Sequence, residues 1–177
     1  MINPRLLALV LFILSAAATR LLPHPPNLTA VTAMALFGGA YFADRRWAFA
    51  APLLALLLSD LVLGFYPHME VPYLGFIITV CIGLGLQKRR TAGRILGATL
   101  LSSVVFFLLT NFGDWLLRVE QPYPKTLDGL IACYVNAVPF FRNSLLGDLL
   151  YATLLFGGFR LLENRFSALR EPRTALA

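Results

Sequence analysis

Charge is scarce in this chain, and acid is scarcer than base. Of 177 residues, 15 are Lys or Arg, 9 are Asp or Glu, and 58% are hydrophobic. A soluble domain carries about a quarter charged residues. At 14% charged and a mean hydropathy of +0.73, the composition excludes a soluble globular domain and describes a polytopic membrane protein. Cysteine is nearly absent as well. Cys81 and Cys133 both sit in apolar surroundings without Cys-x-x-Cys spacing, which excludes a disulfide framework and a zinc site; Cys81 reads as a small apolar residue. No Gly-x-Ser-x-Gly, His-Glu-x-x-His or Walker sequence occurs, and no nucleophile and base have recognisable spacing. The expectation is a protein that is not an enzyme and has no metal or cofactor of its own. An intramembrane enzyme acting through His24, Asp60 and Asp148 is the weaker alternative. No stretch is long enough for an independent soluble domain, so any ATP hydrolysis would come from a partner chain. The net charge of +6 lies in short clusters between apolar runs, which argues for orientation in a bilayer and against nucleic acid.

What the chain has in abundance is apolar runs. They predict one all-α transmembrane domain over residues 1–177, with six spans at about 6–22, 28–43, 47–66, 71–87, 93–117 and 144–162. Residues 6–22 also carry the pattern of a secretory signal, with Arg5 before the apolar stretch and Ala16-Ala17-Ala18 as a cleavage site. Against cleavage, apolar residues continue to Leu22 and Arg20 would lie beside the cut. Pro23-His24-Pro25-Pro26-Asn27 is a stiff connector, because consecutive prolines remove donors and hold their neighbours extended. In the second run Ala35, Gly39 and Ala43 recur four apart, a spacing that lets another helix approach closely in lipid. The third run holds seven leucines against one charge, Asp60; insertion survives the carboxylate without explaining it. Residues 126–141 are short for a span and contain Asp128, Asn136 and Pro139, so they read as an interfacial or re-entrant helix before the last span. Residues 163–177 form a basic, loosely ordered tail.

Charge sets the expected orientation. With six spans, Arg5, Arg45, Arg46, Lys88, Arg89, Arg90, Arg94, Arg160, Arg165, Arg170 and Arg173 share one side, and Arg20, Arg118, Lys125 and Arg142 the other. The positive-inside rule then makes both termini cytoplasmic. The embedded polar groups fall on the opposite, outer side: His24 and Asn27 in the first loop, Asp60, Tyr73, Asn111, Asp114 and Trp115 near helix ends, and Arg142, Asn143, Ser144 and Asp148 at the start of the last span. A buried carboxylate such as Asp148 pairs, lines a wet cavity or binds something. The inner half has almost no buried polar group, which disfavours a channel or proton wire and favours a cup open outward.

Aromatic side chains would stack on a ring-bearing ligand, with Tyr73, Trp115, Tyr123, Tyr134, Phe140 and Tyr151 as candidates. Asp60, Asn111, Asn143 and Asp148 would supply directional hydrogen bonds, and the helix start beside Arg142 would hold an anionic group. The connector at His24 and the short helix near Cys133 and Tyr134 would form the rim. The structural alternatives are an interfacial belt for Trp115 and the tyrosines, a loop role for His24, and a packing ion pair of Asp60 with Arg142 or Arg118.

At Arg20-Leu-Leu-Pro-His24-Pro-Pro-Asn27, Ala33-Met-Ala-Leu-Phe-Gly-Gly-Ala-Tyr-Phe42, Leu58-Ser-Asp60-Leu, Thr110-Asn111-Phe-Gly, Tyr123-Pro124-Lys-Thr and Pro139-Phe-Phe-Arg-Asn143-Ser-Leu-Leu-Gly-Asp148, the chain resembles a family of bacterial membrane proteins. Its members are often described as substrate-binding S components of energy-coupling factor transporters. The resemblance covers nearly the whole chain. It implies a multi-pass protein of the bacterial inner membrane that captures a small vitamin or vitamin precursor outside, with a transmembrane coupling subunit and two ATPase subunits as partners. One departure matters: many S components carry Ala-x-x-x-Ala on the first helix, and residues 6–22 contain no such pair, so docking uses the Ala35 ladder or the protein acts alone, as a solitary cobalamin-type importer would. In that case a thiolate or His24 is a candidate cobalt ligand. The alternative from another class is an assembly factor whose cup meets a partner protein or lipid.

Overall fold

A computed structural model describes residues 3–118 and 123–171, all helix and connector with no strand among them. The helices are α1 (Pro4–Ala18), α2 (Val31–Tyr41), α3 (Arg45–Leu63), α4 (Glu70–Leu84), α5 (Ala92–Leu117), α6 (Leu127–Ala152) and α7 (Gly158–Arg165). Four stretches are long and apolar enough to cross a membrane: Pro4–Leu21, Arg45–Leu63, Ala92–Leu117 and Leu127–Arg165. Their outward faces carry exposed leucines such as Leu11, Leu58, Leu101 and Leu154, the pattern of helices solvated by hydrocarbon.

The short α2 is the axis of the bundle. It is apolar on every side, and a helix without a polar face belongs in a core. Every residue from Thr32 to Tyr41 is buried. α4 packs against it most extensively, and α1, α3, α5 and α6 complete the ring. Small residues set the spacing: a Cβ on Gly39 would lie 2.2 Å from the Val80 carbonyl oxygen, and one on Gly83 2.4 Å from that of Leu36. Ala35 and Gly39 therefore serve the internal α2–α4 contact, and Ala35 has no exposed surface. Of the ladder expected to receive a partner helix, Ala35 and Gly39 are buried within the bundle, while Ala43, past the end of α2, is exposed.

The last third of the chain differs from the expectation. Residues 126–141 do not form a separate interfacial helix; α6 runs unbroken from Leu127 through Pro139 to Ala152, then through a π-helical turn, Thr153–Gly157, into α7. Proline inside a helix forfeits one backbone hydrogen bond and bends the axis, but the remaining bonds of a long apolar segment carry it through. The consequence is depth. Asp148 lies about 30 Å along this helix from Leu127, not one turn inside its outer end.

The tail also departs from the loosely ordered segment anticipated over residues 163–177. α7 continues to Arg165 and a 3-10 turn follows at Ser167–Leu169. Arg5 pairs with Glu163 and donates to the Leu169 carbonyl, while Arg90 pairs with Glu171 at 2.8 Å. Gln87 donates to the carbonyls of Gly39 and Phe42. These contacts gather the N-terminal helix start, the α2–α3 corner, the α4–α5 corner and the end of α7 at one pole. Residues 172–177, with Arg173, lie outside the described residues. The pole is also less apolar within than anticipated, since Arg5 is buried there and Thr99 lines a small cavity with Tyr41, Arg90 and Arg160.

Candidate functional site

At the other pole a cavity of about 450 Å³ opens between the N-terminal end of α2, the second half of α5 and the middle of α6. Its polar lining comprises Arg20, Asn27, Thr29, Thr32, Ser103, Thr110, Asn111, Ser144 and Asp148. Its apolar walls include Phe106, Phe107, Phe140 and Phe141, with the rings of Phe107 and Phe141 4.5 Å apart.

Asp148 stands in the lining with 3% of its surface exposed. The Ser103 hydroxyl donates to its Oδ2 at 2.7 Å, and the Thr32 hydroxyl is a second hydrogen-bonding neighbour. Gly147 permits this arrangement. A Cβ there would come 3.1 Å from the Thr29 amide nitrogen, so glycine lets the connector before α2 lie against α6 without the shift of a few tenths of an ångström that a side chain would require. The connector is fastened nearby, where the Asn143 side-chain amide donates to the Pro26 carbonyl at 3.0 Å. Asn27, at φ 62°, takes the left-handed backbone that asparagine tolerates better than most residues.

A second buried group adjoins the first. Asp60 is 1% exposed on α3; its Oδ1 forms an ion pair with Arg20 Nη2 at 2.7 Å, and its Oδ2 accepts from the Tyr73 hydroxyl at 2.8 Å. Arg20 also donates to the Ser59 hydroxyl. The partner of Asp60 is thus Arg20, in the 3-10 turn after α1, and neither Arg142 nor Arg118. Arg118 instead pairs with Asp114 one turn away, at 3.0 Å. Tyr66, in the α3–α4 connector, also lines the cavity, and burial followed by the Asp60 carboxylate pushes its phenol above the ordinary value, so it remains a neutral donor.

Of the candidates expected from sequence, Asn27, Asn111 and Asp148 line the cavity, while Asp60 and Tyr73 hold Arg20 in its wall. The others lie elsewhere. His24 is exposed, its Nδ1 against the Pro25 carbonyl, and Arg142 is exposed on α6. Trp115 donates to the Pro124 carbonyl and has Lys125 over its ring; with Asp114 it belongs to the α5–α6 corner. Tyr134 donates to the Leu108 carbonyl at 2.7 Å, which makes the segment near Cys133 a wall of the α5–α6 pair and not a movable rim. Tyr151 packs against the core beside α2. Of the aromatic set, Phe140 alone lines the cavity; Phe106, Phe107, Phe141 and Tyr66 take the wall positions.

Arg20, Thr32, Ser103 and Thr110 were not anticipated. Thr99 and Ser103, four apart within an apolar run, carried a readable signal, since hydroxyls at that spacing share one helix face. Arg20 carried one too: a cation ending the first apolar run, at the level where the third run holds its lone carboxylate. Among the described residues no three His, Cys, Asp or Glu side chains gather as a metal site.

Residues 1–169 match the model of a family whose description is a family of unknown function (DUF6580). No curated protein and no solved structure matches the chain.

Proposed function

The chain belongs to that family, whose description names no activity, and from the outer cavity we propose that it is a membrane-embedded binding protein for uptake of a small ring-bearing micronutrient, with no catalytic turnover of its own. The supporting observation is a desolvated carboxylate, the Asn111 amide anchored on the Phe107 carbonyl and a set of phenylalanine side chains around a space that fits a small molecule. Structural ion pairs fill their own space; this arrangement lines an open cavity. Pockets of a few hundred cubic ångströms with apolar walls and a few convergent polar groups are the usual form of small-molecule sites.

In this reading six passes cross the bacterial inner membrane and the arginine-rich pole faces the cytoplasm, as the excess of basic residues there favours. The cavity then opens outward. Because Ala35 and Gly39 are consumed inside the bundle, a transmembrane coupling subunit with its two ATPases would dock on another face, or the protein imports alone. Sidedness is testable by labelling. Cysteine introduced at exposed His24 should react with a membrane-impermeant maleimide on intact spheroplasts, and cysteine at Ser167 only after permeabilisation, in a background with Cys81 and Cys133 replaced. The reverse pattern would place the cavity on the cytoplasmic side and end the uptake reading.

Ligand binding is tested by thermal shift of the purified protein against a panel of vitamins and precursors. One member should stabilise the fold by about 2.7 kcal/mol at a hundredfold excess over its Kd. Asn111→Ala should weaken that stabilisation while leaving the unliganded midpoint nearly unchanged. A protein that ignores the whole panel would favour the assembly-factor class.

A further inference from the structure

The charges around the cavity go further than its shape. Two charged side chains line it, Arg20 and Asp148. Arg20 is committed: its guanidinium meets the Asp60 carboxylate at 2.7 Å, and each neutralises the other. Asp148 has no such partner. Its neighbours are the hydroxyls of Ser103 and Thr32, which orient dipoles toward a carboxylate but bring no positive charge, and no cation pairs with it among the described residues.

A desolvated carboxylate is stable when a proton or a cation neutralises it. The walls favour the cation. Phe106, Phe107, Phe140 and Phe141 line the same space, and the negative face of an aromatic ring attracts a positive charge most strongly where water is excluded. A molecule in the cavity would meet the Asp148 carboxyl group and the aromatic side chains of its walls.

Resting on the reading of this cavity as a ligand site, we propose that its ligand is an aromatic organic cation, such as an N-alkylated heteroaromatic ring, with the positive group at Asp148. An anionic ligand would face the uncompensated carboxylate, and a neutral one would leave its neutralisation to a proton.

Three probes of nearly equal size separate these cases: 1-methylnicotinamide, a cationic ring with a carboxamide acceptor; nicotinamide, its neutral parent; and nicotinate, the anion. Binding to the full-length protein in nanodiscs is measured by calorimetry and thermal shift. The cation should bind at least about tenfold more tightly than nicotinamide, which corresponds to one added favourable ion contact, and nicotinate should not bind. Asp148→Asn, which keeps the shape and removes the charge, should erase the preference. If that variant fails to fold, Phe107→Leu should lower the preference several-fold by removing one ring face. Equal binding of cation and neutral parent, retention of the preference in Asp148→Asn, or no response to the cation up to about 10 mM would each overturn the proposal. Charge-blind binding that Asn111→Ala abolishes would overturn the cationic class while the cavity stands as a ligand site. Silence toward these probes and the vitamin panel would remove both.

Discussion

Arg20→Ala and Asp60→Ala should each lower stability by about 3–5 kcal/mol, and the double variant should lose much less than the two losses combined. The reason is asymmetric desolvation. Both side chains are already withdrawn from solvent, Asp60 at 1% and Arg20 at 11% side-chain exposure, so removing one leaves the other charge buried without its counter-ion. The remaining polar contacts do not substitute. Tyr73 at 2.8 Å is a neutral donor to Asp60, and on the other side Ser59 and the Leu56 carbonyl are neutral acceptors for Arg20. Removing both charges abolishes the mismatch, leaving a polar void and the lost cross-links between the α1 end, α3 and α4. Thermal midpoints of the four proteins in one detergent give the cycle, and a coupling energy below about 1 kcal/mol would mean that the pair is hydrated and unimportant. A further consequence distinguishes the pair from Asp148: both single variants should fail before ligand binding can be assayed, whereas Asp148→Asn should remain folded.

The same pair shows where the sequence was legible and where it was not. That carboxylates and amides gather toward one pole followed from charge asymmetry and the hydropathy runs, and Asn27, Asn111 and Asp148 do share a cavity. Which side chains face each other across the bundle depends on helix rotation, and rotation is set by packing that no single run displays. Hydropathy alone therefore offers Asp60 the distant Arg142 and Arg118, although its partner Arg20 closes the first run. Of the aromatic candidates, Phe140 lines the cavity and the others lie off it for a related reason. Tyrosine and tryptophan are enriched wherever a helix meets the headgroup level, so Trp115 and Tyr134 fit a belt and a binding wall equally well. Their hydrogen bonds to the Pro124 and Leu108 carbonyls assign them to the α5–α6 pair. Phenylalanine, the commonest aromatic with 14 residues, carries no polar handle by which sequence distinguishes a cavity wall from a lipid face. The merged α6 has another origin. Pro139 and Asn136 read as breakers, yet an apolar environment penalises any backbone group left unpaired so strongly that the helix continues through them.

Gly39→Ala should be among the most damaging single changes in the chain, with a loss above about 3 kcal/mol or no folded protein at all. The added methyl would sit 2.2 Å from the Val80 carbonyl oxygen and 2.9 Å from the Gly83 Cα. Both obstacles are backbone, and no rotamer change can move them. α2 and α4 would have to separate, and α2 has no free side toward which to shift, since every residue from Thr32 to Tyr41 is buried against a neighbour. The N-terminal end of the same helix carries Val31 and Thr32 into the cavity, so a displaced α2 would also spoil the hydrogen bond to Asp148. Two other glycines supply the contrast. A Cβ on Gly97 or Gly157 meets nothing within 4 Å, so alanine there should be neutral or should stabilise by up to about 1 kcal/mol through helix propensity. Thermal midpoints of the three alanine variants decide the matter. A Gly39→Ala protein as stable as Gly97→Ala would mean that α2 and α4 do not touch at the backbone, and the cavity built on their spacing would lose its frame.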